Sequence, residues 1–261
     1  MNTITPKERD KVISAVRKAG EELMSFWPGA SVGNGHKLEI IEKSDGSYVT
    51  SADYASNAII VEMLRSLFPT DSILSEEMEP PASSSGREWI LDPLDGTHLF
   101  IDGRDSFAIF LALAIEGRAD FGVVYFPARR QLLHAIRGSG AFLNEQRLRV
   151  SCNAALRPKS IRVRGVTGGL KEWEADRSLD SGSSIVQLCE GKLDGLLILA
   201  PRFGHWDLAA PTIVIEESGG TVTTRDGQAL TFGAAIPEYT SYIASNGVLH
   251  SQLLSLVPKE D

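Results

Sequence analysis

Apolar residues recur at helical spacing twice near the start of the chain. Val12, Val16, Ala19 and Leu23 mark one face of a helix from Pro6 to Trp27, and Ile60, Met63, Leu64 and Leu67 mark another from Ser51 to Leu67. Between them, residues 28–49 are rich in Gly, Ser and Lys, and Lys43-Ser44-Asp45-Gly46 predicts a turn or flap. Phe68-Pro69 stops the second helix. Ser72 to Ser75 predicts a short strand carrying Glu76 and Glu77 at its end, and a loop follows over residues 80–86. Trp89-Ile90-Leu91 has the apolar run of a buried strand end. Phe107–Ile115 and Phe121–Phe126, separated by Glu116-Gly117-Arg118, predict two adjacent buried strands. Gln131–Ile136 adds a third before the turn at Gly138-Ser139-Gly140. The first part therefore reads as helices packed on an antiparallel sheet.

From about residue 150 the order changes. A strand at Ser160–Arg164 is followed by a helix at Ser183–Glu190, a strand at Leu193–Leu199 and a helix at Trp206–Ser218. A strand near Thr221, a strand at Ser241–Ser245 and a final helix reaching Val257 complete the chain. Such alternation implies a layered α/β arrangement. The expected division is an N-terminal α+β half, residues 1–150, and a C-terminal α/β half, residues 151–261. No disordered linker or internal repeat separates them, so the two halves are expected to share an extended interface.

Composition narrows the chemistry. A chain of 261 residues is long enough to bury a sizeable core. Its net charge of -8 argues against general binding to nucleic acid or to an anionic membrane surface, either of which needs concentrated positive charge. Met1–Lys18 lacks a hydrophobic signal core and no apolar run has the length to cross a bilayer, so a cytoplasmic protein is expected. Cys152 and Cys189 sit in no paired motif and suggest neither a disulfide framework nor a zinc site. His36, His134, His205 and His250 show no ligand spacing.

Acids and hydroxyls gather where strands end or helices begin: Asp53, Glu76-Glu77, Asp92-Pro93-Leu94-Asp95-Gly96-Thr97 and Trp206-Asp207. Carboxylates are the hard oxygen donors that magnesium prefers, and a Gly-Thr turn opening a helix offers free N–H groups to a phosphate. Asp-Pro and Asp-Gly are also ordinary turn chemistry, and acids at element ends are common helix caps. Taken one at a time, the segments leave both readings open.

Taken in order they resemble one family. Glu-Glu at a strand end, Asp-Pro-Leu-Asp-Gly-Thr after the next strand, and Trp206-Asp207-Leu208-Ala209-Ala210 opening a later helix are similar to the motifs of the inositol monophosphatase family of magnesium-dependent, lithium-sensitive phosphatases. Tyr48–Asp53, Gly122–Tyr125, Gly138–Asn144, Gly182-Ser183-Ser184 and Glu217–Val222 extend the resemblance over most of the chain. It implies an α+β fold, a layered αβαβα sandwich, assembled as a homodimer.

The resemblance also implies roles. Glu76, Asp92 and the backbone carbonyl of Leu94 are expected to hold one magnesium ion, and Asp92, Asp95 and Asp207 a second. Glu76 is expected to help anchor a third through water, giving two or three ions. Asp53 and Thr97 are expected to orient the attacking water, and the N–H groups of Gly96 and Thr97 to hold the phosphate, with an Asp207-held water protonating the departing alcohol. Glu76, Thr97 and Asp53 are thus the expected catalytic groups. Substrate contacts are expected from Asp95, Gly96, Thr97, Ser183, Ser184, Arg202 and Asp207.

The resemblance points first to inositol-1-phosphate, with histidinol phosphate or a 3'(2'),5'-bisphosphate nucleotide as alternatives. A binding or regulatory protein with little catalysis is the reading from another class. Three departures from the family pattern bear on the choice. Arg202 stands in a segment where inositol monophosphatases carry an acid, and either favours an extra anionic group or forms a surface ion pair. His98 follows Thr97, as a substrate contact or a packing residue. Pro211, in the helix opened by Trp206-Asp207, is expected to lie in its first turn, where a missing N–H is harmless. Lys43 lies in the flap, either near a metal or in solvent.

Overall fold

The computed structural model describes residues 3–30, 36–80, 86–165, 174, 180–236 and 238–257. Local chemistry sets the first elements. Helix α1, Pro6–Phe26, begins at a capping box in which Thr5 and Glu8 satisfy each other's backbone N–H groups. Strands β1, Ile40–Glu42, and β2, Tyr48–Thr50, form an antiparallel hairpin whose turn carries Lys43. Helix α2, Ser51–Leu67, has a second capping box: the Thr50 N–H and hydroxyl both donate to Asp53 Oδ2, at 2.8 and 2.6 Å.

A seven-stranded sheet follows in the order β3-β4-β5-β6-β7-β8-β9. Its strands are β3, Ser72–Ser75; β4, Arg87–Asp95; β5, Ala108–Ile115; β6, Arg118–Phe126; β7, Gln131–Ile136; β8, Gly140–Leu143; and β9, Gln146–Arg147. The short helix α3, Thr97–Ile101, follows β4. Every pair is antiparallel except β3 with β4. A second sheet has the order β10-β11-β13-β12, with β10 at Ile161–Arg164, β11 at Gly195–Phe203, β12 at Thr221–Thr223 and β13 at Tyr239–Ser245. Helices α4, Ser181–Cys189, and α5, His205–Glu217, lie between the sheets, and α6, His250–Ser255, covers the outer face of the second.

Three apolar clusters glue these layers. Val12, Val16 and Leu23 of α1 and Ile60 and Leu64 of α2 pack on Trp89, Leu91, Leu111 and Phe121 from one face of the large sheet. The opposite face, through Phe110, Ala112 and Val124, meets α4, α5 and the inner face of the small sheet. Ile161, Val163, Leu197, Ile243 and Leu253 form the outermost cluster. The architecture is the expected αβαβα sandwich.

Helix α5 is apolar on nearly every side, as a helix held between two sheets must be. It rests against β6 at Gly122, where a Cβ would lie 2.4 Å from Ile213 Cγ2. Pro211 corrects one expectation: it lies inside α5, beyond the first turn. Having no N–H, it leaves the Asp207 carbonyl, four residues back, without that helical bond.

Candidate active site

The end of β4 departs from regular alternation. Asp92 pairs with Phe110 and Asp95 with Ala108, so three steps along β4 match two along β5. Residues three apart on a regular strand face opposite sides; the extra residue of this bulge turns both acids to the same side. Their partners Phe110 and Ala108 belong to the cluster between the sheets, so both carboxylates open into that space. Pro93 suits the bulge because no ladder N–H is needed there. The Leu94 N–H donates to Asp92 Oδ1 at 2.9 Å, and Ser56 of α2 holds the Pro93 carbonyl at 2.8 Å.

The other acids arrive from neighbouring elements. Parallel register sets Ser75 beside Leu91, which brings Glu76 next to Asp92, and the Glu76 N–H donates to the Leu91 carbonyl at 3.1 Å. Asp207 sits in the first turn of α5, with Oδ2 accepting the Gly204 N–H at 2.7 Å. Asp92, Asp95 and Asp207 each bring a carboxylate oxygen to within 4.8 Å of the others. Glu76 is turned to Lys43 Nζ at 3.0 Å, and the same ammonium meets Glu77 at 2.7 Å.

This grouping of like charges is costly without a cation. Burial pushes the Asp92 and Asp95 carboxyls well above the usual range, and the charges of Glu76 and Asp207 push in the same direction. Burial, with Glu76 adding to it, raises Asp207 to about 7. Hard, closely spaced oxygens that repel one another fit a divalent magnesium ion.

Beside the cluster, Thr97 Oγ1 lies 3.3 Å from Asp53 Oδ1 and 3.1 Å from the Leu94 carbonyl, and its one proton serves one acceptor at a time. Burial raises the Asp53 carboxyl to about 6 despite the bonds from Thr50 that lower it. Gly96 takes φ +78°, a left-handed turn suited to glycine, and its carbonyl starts α3 by accepting the N–H groups of Leu99 and Phe100. Among the described residues, the N–H groups of Gly96 and Thr97 have no backbone acceptor.

Asp92, Leu94, Asp95, Gly96, Thr97, Glu76 and Asp207 share a cavity of about 640 Å³. His98 lines it too. Ser183 and Ser184 do not face it. The Ser183 hydroxyl donates to Asp180 and accepts from Arg129, and the Ser184 hydroxyl donates to the Asp180 carbonyl, so both are turned to Asp180 at the start of α4. Asp180, Ser181 and Gly182 form that part of the wall instead. The Arg202 side chain lies outside the described residues. The sequence reading missed Arg104, Arg162, Arg164 and Tyr242, which also line the cavity. The available signal was charge at alternate positions 162 and 164 of an otherwise apolar strand.

Known proteins resemble this chain over nearly its whole length. Residues 7–261 match the inositol monophosphatase family. A fructose-1,6-bisphosphatase/inositol-1-monophosphatase of Thermotoga maritima is 32% identical over 263 residues, covering 95% of this chain and 94% of that protein. A histidinol-phosphatase of Mycobacterium tuberculosis is 34% identical over 236 residues, covering 84% and 87%. The solved structure of a Thermotoga maritima IMPase has a TM-score of 0.78 at 31% identity, covering 95% of this chain and 96% of that one. The chain belongs to the inositol monophosphatase family, and it is a phosphatase acting on phosphate monoesters.

Proposed function

We propose that the protein is a magnesium-dependent phosphomonoesterase for a small phosphorylated alcohol, with its chemistry at the Asp92–Thr97 bulge. The observation that carries this reading is the meeting of three carboxylates beside the Asp53–Thr97 pair. Asp92, Asp95, Asp207, Glu76 and the Leu94 carbonyl would hold two or three magnesium ions. Bound there, the ions lower the pKa of a water and neutralise charge on phosphoryl oxygens.

The chain's own groups position and deprotonate. The Thr97 hydroxyl can accept from a water while donating to Asp53 Oδ1, leaving Asp53 to receive the proton. A carboxyl near pH 6 suits a base working around neutrality. Oδ2 of the same carboxylate is tied to Thr50, which fixes Oδ1 towards Thr97. The N–H groups of Gly96 and Thr97 remain to orient phosphate oxygens. Asp207, anchored through Oδ2 by Gly204, holds its other oxygen at the side of the departing alcohol.

The test is phosphate release from inositol-1-phosphate, histidinol phosphate and 3'-phosphoadenosine 5'-phosphate, with magnesium, with lithium added and with a chelator. Release that needs magnesium and falls with lithium is expected for at least one ester. Release unaffected by chelator would overturn the metal dependence, and no release from any ester would overturn the proposal and favour the binding role.

A further inference from the structure

The far wall of the cavity is cationic. β10 runs parallel to β11 with Arg162 beside Leu196 and Arg164 beside Ile198. On the other side of β11, Ala244 stands across from Leu196 and Tyr242 across from Ile198. Partners on one rung project from the same face of a sheet. Arg162 and Arg164 therefore share the face of Leu196, Ile198, Tyr242 and Ala244, which is the face packed towards α4 and α5. The alternate residues Ile161 and Val163 join the outer cluster instead.

Alternation calls for apolar residues at 162 and 164. Arginines are accommodated there because β10 is at the edge of its sheet and this face opens into the cavity that holds Asp92, Asp95 and Asp207. Tyr242 stands between the two sets. Burial raises its phenol, Asp95 and Asp207 add to the rise, and Arg164 and Arg162 oppose it, so the ring lies within reach of both charges.

Among the described residues, neither guanidinium group has a carboxylate partner. Arg162, half-buried, gives one N–H to the Val163 carbonyl at 2.8 Å, and Arg164 is exposed. Neither forms an ion pair with a carboxylate among the described residues, nor does Arg104 at the same cavity. Asp180, the acid on this wall, has its oxygens taken by the Ser183 N–H and hydroxyl.

Resting on the phosphatase reading above, we infer that Arg162 and Arg164 form a subsite for a second anionic group, a phosphate or a carboxylate, on the alcohol portion of the substrate. Planar guanidinium forks match either oxyanion with paired N–H donors. The preferred ester is therefore anionic at both ends, one end facing the acid cluster and the other facing β10. An ester whose alcohol carries an ammonium or imidazolium meets repulsion at this wall.

The experiment compares kcat and KM in magnesium for three probes: fructose 1,6-bisphosphate, 3-phosphoglycerate and inositol-1-phosphate. Wild type, Arg162→Gln, Arg164→Gln and the double variant are measured, with melting curves to establish folding and Arg162→Lys as the charge-retaining control. Wild type should prefer a two-anion ester. The double variant should lose roughly 10- to 100-fold of kcat/KM for that ester relative to inositol-1-phosphate, the range for hydrogen bonds to a charged group, mainly through KM. Arg162→Lys should recover part of the loss.

Selective loss with the bisphosphate assigns the subsite to a second phosphate, and selective loss with phosphoglycerate assigns it to a carboxylate. Equal changes for all three esters, or none, overturn the subsite while leaving the phosphatase reading intact. If folded wild-type protein releases phosphate from no ester, the phosphatase reading itself fails and the subsite falls with it.

Discussion

Lys43 Nζ lies 3.0 Å from Glu76 Oε1, so the turn between β1 and β2 supplies a cation at one side of the acid cluster. Without this lysine, Glu76 and Glu77 face Asp92, Asp95 and Asp207 with no neutralising partner at that point. Lys43→Gln should destabilise the chelator-treated protein by roughly 1–2 kcal/mol, as expected for a partly buried charge-assisted pair. Millimolar magnesium should then raise its melting temperature more than that of wild type. Equal magnesium-induced shifts in the two proteins would show that the lysine and the ion do not share the same carboxylates.

Asp95 has the opposite effect on the empty cluster, because it adds repulsion. Asp95→Asn keeps the shape and removes one charge, so the chelator-treated variant should melt no lower than wild type while gaining less from magnesium. Turnover should fall at least about 100-fold, beyond the usual cost of losing an outer partner of a metal site. Wild-type turnover in this variant would remove the acid from the mechanism.

The second sheet predicts a pH dependence away from the cavity. His250 is held between the hydroxyls of Thr223 and Ser245, both at 2.9 Å, and burial lowers its pKa from the ordinary 6.5. A histidine whose folded pKa is depressed contributes stability above its unfolded pKa and loses it as pH falls through the folded value. His250 therefore contributes a fall in melting temperature below about pH 6.5, opposed over the same range by Asp53 and Asp207, whose raised carboxyls add stability as they protonate. His134, shifted the same way by burial and by the nearby Arg9, contributes to the same window. His134→Gln/His250→Gln should lose less stability, or gain more, than wild type between pH 7 and 5 in a calorimetric series; identical pH dependence in the two proteins rules out a contribution from these groups.

Gly122 tests how tightly α5 is seated. An added Cβ would meet Ile213 Cγ2 at 2.4 Å and the Ala210 carbonyl at 3.1 Å. Gly122→Ala should cost about 1–3 kcal/mol, the usual range for overpacking. Because Asp207 lies in the first turn of the displaced helix, the variant should also need more magnesium for half-maximal stabilisation. A drop in melting temperature without that change would separate helix seating from the cluster.

Much of this was legible in the sequence because local signals agreed with global ones. Thr50 and Asp53 form a capping box, so α2 begins and ends where its pattern places it. The three-residue spacing of Asp92 and Asp95 requires a departure from strand geometry if both acids are to face one side, and that departure takes the form of a bulge. The β1–β2 hairpin escaped because Ile40 and Ile41 are both exposed and give no alternation. Ser183 and Ser184 were expected at the cavity, yet their hydroxyls satisfy Asp180 and its carbonyl, a local competition the motif alone does not display. Arg162 and Arg164 were overlooked because a strand edge that opens into a cavity is a property of sheet order, not of the strand's own residues.

The seating of α5 between two sheets also bears on the timing of backbone opening. Amides near Ile213 and Val214 are fully buried, with the large sheet on one side and the small one on the other. Exchange of those hydrogens with solvent requires both sheets to release the same helix, a near-global event. A cation bridging Asp207 to β4 should therefore slow exchange along the whole of α5, turning the helix interior into a recorder of occupancy at its first turn.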